Sequence, residues 1–158
     1  MNTEFNFSYE VYSDIANLNT QDKELIEKSI DAAKSAYAPY SEFNVGAALL
    51  LDNGEIILGN NQENAAYPSG LCAERVALFY ANANYPENRI NAMAIVALKN
   101  GKLVPNVVTP CGNCRQAMLE TETRFQKPIR LIMGSQSGFW IVEKAQYLLP
   151  LSFTNDSL

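Results

Sequence analysis

The feature that most constrains this chain is a set of three cysteines in a sequence without histidine. Cys72 lies in a Leu-Cys-Ala-Glu-Arg segment, and Cys111 and Cys114 lie in Pro-Cys-Gly-Asn-Cys-Arg-Gln. Three thiolates can bind one Zn²⁺ and leave the fourth position open, as catalytic zinc sites do, whereas structural sites fill all four. The sequence therefore predicts a fold in which Cys72 meets the later pair around one metal ion.

Two kinds of neighbouring residue fit a hydrolytic metal centre. Glu74 is two residues beyond Cys72, so it is poorly placed as a fourth ligand but can act as a general acid and base toward water. Three thiolates leave zinc with a net negative charge, which a guanidinium bonded to a ligand sulfur would offset. Arg75 is the favoured residue for this role and Arg115 is the alternative.

Composition and charge exclude several partner classes. With 158 residues, 47% of them hydrophobic and 18% charged, the chain has the size and composition of one globular domain. Its net charge of −5 argues against a nucleic-acid partner. No apolar run is long enough for a membrane span and no signal peptide is visible. An odd number of cysteines does not suit a secreted disulfide scaffold, so we expect a reduced, cytoplasmic protein without a membrane partner.

Hydrophobic periodicity predicts alternating helices and strands, and hence an α/β layered domain with a mixed sheet. Residues 1–19 are predicted as a loose arm or an edge strand, since Phe5, Phe7 and Tyr9 alternate. The remaining elements are a helix from Thr20 to before Pro39, strands over 43–51 and 55–60, a helix over 71–83, a strand over 92–98, a helix capped by Thr109 and running to Glu122, strands over 129–133 and 139–142, and a short helix over 143–149.

The two cysteine motifs and three further motifs resemble the cytidine deaminase family, in its small-subunit branch with three cysteine ligands. The further motifs are Tyr40-Ser41-x-Phe43-x-Val45-Gly46, Asn61-x-Glu63-Asn64-Ala65-x-Tyr67-Pro68 and Leu148-Leu149-Pro150-x-x-Phe153. The resemblance runs from about residue 25 to residue 153. It implies a catalytic domain over 20–158, preceded by an N-terminal extension over 1–19.

The resemblance also implies an architecture and an activity. The expected fold is a three-layer α-β-α sandwich with a five-stranded mixed sheet. The expected assembly is a homotetramer whose active sites are shared between subunits, with one Zn²⁺ in each. The expected reaction is the hydrolytic deamination of the small-molecule nucleosides cytidine and 2′-deoxycytidine, a step of pyrimidine salvage.

Roles for individual residues follow from the same resemblance. Cys72, Cys111 and Cys114 would bind zinc, and Glu74 would shuttle protons. The expected substrate contacts are stacking by Phe43, hydrogen bonds from Asn61 and Glu63 to the ribose 3′-hydroxyl, backbone contacts from Ala73 and Thr109 to the base, and contributions of Ala65 and Phe153 from neighbouring chains.

Other interpretations of these residues stay open at the level of sequence. Phe43 could belong to the core, Asn61 and Glu63 could be solvated loop residues, and Phe153 could only cap the C-terminal helix. The enzyme could act instead on a modified cytosine nucleoside such as blasticidin S. A non-enzymatic metal-binding or redox module is the alternative of a different class, and it predicts no turnover of cytidine.

Overall fold

Three helices and a seven-stranded mixed sheet make up the fold, in a computed structural model that describes all 158 residues. Strands follow the order β1-β7-β6-β4-β2-β3, with β5 paired to β4, and β4–β6 is the one parallel pair. The helices are α1 (Thr20–Lys34), α2 (Ala73–Asn84) and α3 (Gly112–Phe125); the strands are β1 (Glu10–Tyr12), β2 (Asn44–Leu51), β3 (Ile56–Asn60), β4 (Ile90–Lys99), β5 (Lys102–Leu103), β6 (Arg130–Ser135) and β7 (Gly138–Val142).

The sheet separates two hydrophobic clusters, which gives the three layers. One cluster, which includes Leu78 and Met118, fills the space between the sheet and helices α2 and α3. The other includes Leu25 and packs α1 against the opposite face. Strand β4 contributes to both clusters, so its continuous apolar sequence reflects burial on both faces. None of the helices combines the length and the hydropathy needed to cross a bilayer.

Two glycines allow helices to pack directly on the sheet backbone. A Cβ at Gly59 in β3 would lie 2.5 Å from the Ala73 carbonyl oxygen and 2.6 Å from the Ala77 nitrogen of α2. A Cβ at Gly46 in β2 would collide with the backbone of α1 at Ser29. The two positions therefore set how closely α2 and α1 approach opposite faces of the sheet.

The expectation of a five-stranded sheet was wrong, because the sheet has seven strands. The five predicted strands correspond to β2, β3, β4, β6 and β7. Strand β1 adds to the edge beside β7, and β5 turns back onto β4 after Asn100 and Gly101, which both have positive φ. Both additional strands have only two or three residues, too few to produce a period-two pattern in the sequence.

The N-terminal strand and the first helix also differ from their predicted positions. Strand β1 covers Glu10–Tyr12, whereas the alternating aromatic residues predicted it over residues 5–9. Helix α1 ends at Lys34, several residues before Pro39, with Ser35 as its C-cap. The chain between Lys34 and Pro39 leaves the helix because Tyr37 pairs with the segment at Asn61–Glu63.

Both later helices begin directly after a cysteine N-cap and not where the sequence placed them. Leu71 exchanges two backbone hydrogen bonds with Gln62, so α2 starts only at Ala73 with Cys72 as its N-cap. The predicted N-cap Thr109 does not cap α3, because its hydroxyl accepts a hydrogen bond from Arg115 and the chain stays extended to the true N-cap, Cys111. The predicted helix over 143–149 is a 3-10 turn, Ala145–Leu148.

We predict that Gly59→Ala displaces α2 from the sheet. Overpacking of this kind costs about 1–3 kcal/mol of unfolding free energy, and it should also weaken metal retention because α2 begins beside Cys72. Urea unfolding and transfer of zinc to a chelator measure the two effects.

The control is Gly46→Ala, whose Cβ would lie 1.9 Å from the Ser29 carbonyl oxygen and so forces a larger adjustment against α1 on the opposite face. It should lower the unfolding free energy by at least as much but leave zinc release unchanged. Equal zinc release from both variants would contradict a specific role of Gly59 at the metal centre.

Candidate active site

Three sulfur atoms converge where α2 and α3 begin. The Sγ atoms of Cys72 and Cys111 lie 3.8 Å apart, and those of Cys111 and Cys114 lie 3.5 Å apart. All three fall within 4.8 Å of one another, and none is in a disulfide. Tetrahedral zinc with Zn–S bonds of about 2.3 Å places its sulfur ligands about 3.8 Å apart. The donor set and its spacing therefore fit one zinc ion with a position left open.

The two helix N-termini explain why these cysteines meet. Cys72 and Cys111 are the N-caps of α2 and α3, both with extended backbone, and Cys114 is in the first turn of α3. Both helices pack on the same face of the sheet. The positive ends of two helix dipoles thus point toward the sulfurs, which favours the thiolate form that a metal requires.

Hydrogen bonds divide the protons unequally among the thiols. The pKa of Cys72 is lowered to about 5, chiefly because the Cys114 thiol donates a hydrogen bond to the Cys72 thiolate. A hydrogen bond from Arg75 lowers it further, whereas burial opposes the shift. The pKa of Cys114 is raised, first by that same donated bond and then by burial. Zinc binding must therefore displace the proton that Cys114 holds.

The two candidate arginines have different surroundings. Arg75 places Nη2 at 3.7 Å from the Cys72 sulfur, and its Nε is buried without a hydrogen-bond partner. Arg115 donates instead to three oxygens, the carbonyls of Pro110 and Leu148 and the hydroxyl of Thr109. The structure thus brings Arg75 to the sulfurs and directs Arg115 away from them.

Glu74 supplies a buried carboxyl group beside the sulfurs. Only 5% of the residue is exposed, yet it lines the same cavity as Cys72 and Cys111. The pKa of Glu74 is raised, chiefly by burial and further by the negative charge on Cys72. A carboxyl group with a raised pKa holds and returns a proton more readily than an ordinary carboxyl group, as a general acid and base must.

A cavity of about 650 Å³ opens over this centre. Its volume falls within the usual range for small-molecule sites. Phe43, Val45, Ile95 and Val108 supply apolar walls. Asn61, Glu63 and Thr109 also line it, so the structure brings together most of the residues that the sequence assigned to the site. Tyr40, Ser41 and Tyr67, which the sequence analysis did not assign, line it as well.

Asn61 organises the strand that carries the apolar wall. Its Oδ1 accepts from the Val45 amide at 2.8 Å, and its Nδ2 donates to the Phe43 carbonyl at 2.9 Å. The side-chain amide therefore pairs with β2 as a neighbouring strand would and fixes the direction of Phe43. Sequence reasoning missed this role, since no local pattern indicates a bond between residues so far apart.

Glu63 organises the turn before that strand. Its carboxylate accepts from the amides of Tyr40 at 2.9 Å and Ser41 at 3.3 Å, and from the Ser41 hydroxyl. These bonds, the hydroxyl first, lower the pKa of Glu63. The carboxylate is therefore ionised at neutral pH and holds the rim of the cavity.

The remaining assigned residues lie at or outside the boundary of the cavity. Ala73 is fully buried at the start of α2 and is not among the residues that line the cavity. Ala65 and Phe153 are exposed and do not line the cavity. The Phe153 carbonyl accepts a hydrogen bond from Gln116 of α3 at 2.9 Å, which holds the C-terminal segment near the helix.

Comparisons with known proteins agree with this geometry. The family described as "Cytidine and deoxycytidylate deaminase zinc-binding region" matches residues 19–127. The chain is similar to the cytidine deaminase of Halalkalibacterium halodurans, 40% identical over 134 residues that cover 85% of this chain and 95% of that protein. It is also similar to the cytidine deaminase of Sporosarcina psychrophila, 45% identical over 98 residues that cover 62% and 68% of the two chains.

Solved structures show the same similarity. The crystal structure of cytidine deaminase from Burkholderia pseudomallei superposes with a TM-score of 0.70 at 38% identity, covering 86% of this chain and all (100%) of that one. The Mycobacterium tuberculosis enzyme gives a TM-score of 0.66 at 31% identity, covering 86% and 99%. Fold and site together define a zinc-binding deaminase. The chain belongs to the cytidine and deoxycytidylate deaminase family.

We predict that Cys111→Ser removes the metal but preserves the helix. Serine is a favourable N-cap, so α3 should still form, but one of the three zinc ligands is lost. Elemental analysis should give about one zinc per chain for the unmodified protein and a small fraction of that for the variant. Circular dichroism confirms that the fold is retained. Full zinc occupancy in the variant would remove Cys111 from the ligand set.

Proposed function

We propose that this chain hydrolytically deaminates cytidine and 2′-deoxycytidine to uridine and 2′-deoxyuridine with release of ammonia. The observation that carries the proposal is the buried Glu74 carboxyl group beside three converging sulfurs in one cavity. Such a centre combines a position for an activated water with a group that moves protons.

The metal would be held by Cys72, Cys111 and Cys114. Zinc in such a site acts as a Lewis acid that lowers the pKa of water. Arg75 supports this function because its guanidinium lies against the Cys72 sulfur and withdraws part of the negative charge. We therefore assign the neutralising role to Arg75.

Glu74 performs the proton transfers. It accepts one proton from water as the water oxygen bonds to C4 of the base, and this proton passes to ring N3. It then transfers the second water proton to the amino group as the C4–N bond breaks. The products are a C4 carbonyl with a protonated N3, and ammonia, so both water protons are accounted for.

The cavity walls position the base and the sugar. The Phe43 ring offers an apolar face to the planar base. Glu63 accepts three hydrogen bonds, which leaves a carboxylate one further lone-pair site for a ribose hydroxyl. Asn61 retains a second Nδ2 hydrogen that can donate to the same 3′-hydroxyl. Backbone groups of Ala73 and Thr109 complete the contacts to the base carbonyl and the leaving amine.

Charge in the cavity favours a nucleoside over a nucleotide. Among the lining residues only Arg75 is cationic, and its guanidinium is directed to Cys72. Glu63 and Glu74 are carboxylates. A 5′-phosphate would therefore meet more negative than positive charge, which supports cytidine and 2′-deoxycytidine as substrates in preference to deoxycytidylate.

We predict that Glu74→Gln lowers kcat for cytidine about 10²–10⁴-fold, the usual contribution of a general acid and base, while zinc content stays unchanged. The control is Glu87→Gln, which replaces an exposed carboxylate in the loop after α2 and should retain full activity. Loss of cytosine absorbance and ammonia release measure turnover. Normal turnover in Glu74→Gln would refute the assignment.

The same assay separates the alternative substrates. Cytidine and 2′-deoxycytidine should react efficiently, and deoxycytidylate and blasticidin S should react poorly. Preference for blasticidin S would favour a deaminase of modified nucleosides. Zinc-loaded protein that turns over none of these compounds would indicate a non-enzymatic metal-binding module.

The assembly we propose is a homotetramer with shared active sites. Phe79 and Tyr80 of α2 are about half exposed, which suits a buried face between subunits. Ala65 and Phe153 lie outside the cavity of their own chain, as residues that serve a neighbouring site would. Light scattering should give a mass about four times that of the 17.5 kDa chain. A fully active monomer would contradict this assembly.

The domain division and the cellular location are part of the same proposal. We assign residues 20–158 to the catalytic domain and residues 1–19 to an extension, which the family match from residue 19 supports. Three unpaired cysteines support a reducing cytoplasm as the location. Recovery of the protein from a secreted fraction would contradict the location.

A further inference from the structure

We propose that Arg115 is a positioning residue that ties the zinc loop, Thr109–Cys111, to the C-terminal turn, Ala145–Leu148, and that an N-terminal aromatic arm holds this turn in place. The aromatic arm consists of Phe5, Phe7 and Tyr9. The inference rests on the proposed function, because this loop would carry the zinc ligand Cys111 and the Thr109 carbonyl that would face the leaving amine.

The guanidinium of Arg115 bridges the loop and the turn. Its Nε donates to the Pro110 carbonyl at 2.8 Å, and its Nη2 donates to the Thr109 hydroxyl at 3.2 Å. Its Nη1 donates to the Leu148 carbonyl at 2.8 Å. Because the guanidinium is planar and rigid, the position of the turn constrains the position of the loop.

The zinc loop depends on this bridge because its own backbone has few other partners. Residues 106–110 make no backbone-to-backbone hydrogen bond. The bonds from Arg115 to Pro110 and Thr109 therefore provide the main polar restraint on the segment that enters Cys111. A loop that is not restrained in this way would have to lose conformational entropy each time it binds metal or substrate.

The C-terminal turn is held on two sides. The carboxylate of Glu122 in α3 accepts from the amides of Ala145 and Gln146, both at 2.9 Å. On the other side the Tyr147 ring contacts Phe5 and Phe7, with ring centroids 6.3 and 5.9 Å apart. Leu148, which receives Arg115, is the next residue after the ring that the arm contacts.

The aromatic arm is itself anchored to the sheet edge. Tyr9 packs on Trp140 of β7 with centroids 5.1 Å apart, and the following residues form β1, which pairs with β7. A continuous set of contacts thus leads from the edge of the sheet through the arm, the turn and Arg115 to the zinc loop. Phe5 and Phe7 remain about half exposed, so the arm should contribute less than Arg115.

The first test compares Arg115→Lys and Arg115→Gln in the zinc-loaded, full-length protein. Lysine keeps the positive charge but cannot donate to three oxygens in the fixed planar arrangement of a guanidinium, and glutamine has neither the charge nor that arrangement. Both variants should therefore release zinc to an excess chelator about 10- to 100-fold faster, as for other residues that support metal ligands. The values of kcat and KM for cytidine are measured in parallel, and kcat should fall more than KM rises.

The control is Arg124→Lys, on the same helix, whose guanidinium donates to the Pro86 carbonyl at 2.9 Å away from the zinc loop. It should release zinc at the unmodified rate. If Arg115→Lys also releases zinc at the unmodified rate, a positive charge alone is enough to retain the metal and the positioning role is refuted.

The second test removes residues 2–9 or changes Tyr147→Ala. Each change should speed zinc release about 2- to 10-fold, the range expected when one or two aromatic contacts are lost. The variant that combines both changes should release zinc no faster than the stronger single variant, because both changes remove the same contact. Unchanged release from the truncated protein, or additive effects, would refute the role of the arm.

The zinc-release measurement keeps this inference separate from the proposed function. If the unmodified protein binds zinc but does not deaminate cytidine, the proposed function fails. Faster zinc release from Arg115→Lys would still support the positioning role in that case, and unchanged release would still refute it.

Discussion

The meeting of two helix N-termini on one face of the sheet is the constraint on which the site depends. Cys72 and Cys111 cap α2 and α3, and Cys114 follows one turn later. A small change in either helix position would separate sulfurs that lie 3.5–3.8 Å apart. The close approach of α2 to the sheet at Gly59 is therefore part of the metal site, although this glycine contributes no ligand.

On the substrate side of the cavity, two polar side chains both hold the backbone in place and line the cavity. Asn61 pairs with β2 and Glu63 binds the turn at Tyr40–Ser41. Loss of either side chain would remove a sugar contact that we propose and also release the backbone that carries Phe43. Effects on sugar selectivity and on base binding are thus expected to be coupled in this site, and a variant at either position should not be interpreted as a change in one contact.

The sequence was informative where a residue type has a specific chemical use. Three cysteines without histidine, with Glu74 two residues beyond the first, predicted the centre that the structure brings together. Apolar patterns, turn residues and helix-capping signals predicted the five longer strands and all three helices. The short strands β1 and β5 and the cysteine N-caps were missed, because each depends on pairing or capping by residues distant in the sequence. The contacts of Arg115 and Asn61 were missed for the same reason.

Charge balance links the stability of the site to its chemistry. Three thiolates on Zn²⁺ carry a formal charge of −1, which the nearby Arg75 offsets. An ionised Glu74, which is only 5% exposed, would return the centre to −1 in a region that solvates charge poorly. Burial and, after it, the negative charge on Cys72 raise the pKa of Glu74, which favours its protonated form. A second cation near Glu74 would offset this negative charge and stabilise the site. The Glu74 carboxylate would then hold its proton more weakly, which would make it less suited to the proton return that we propose for it.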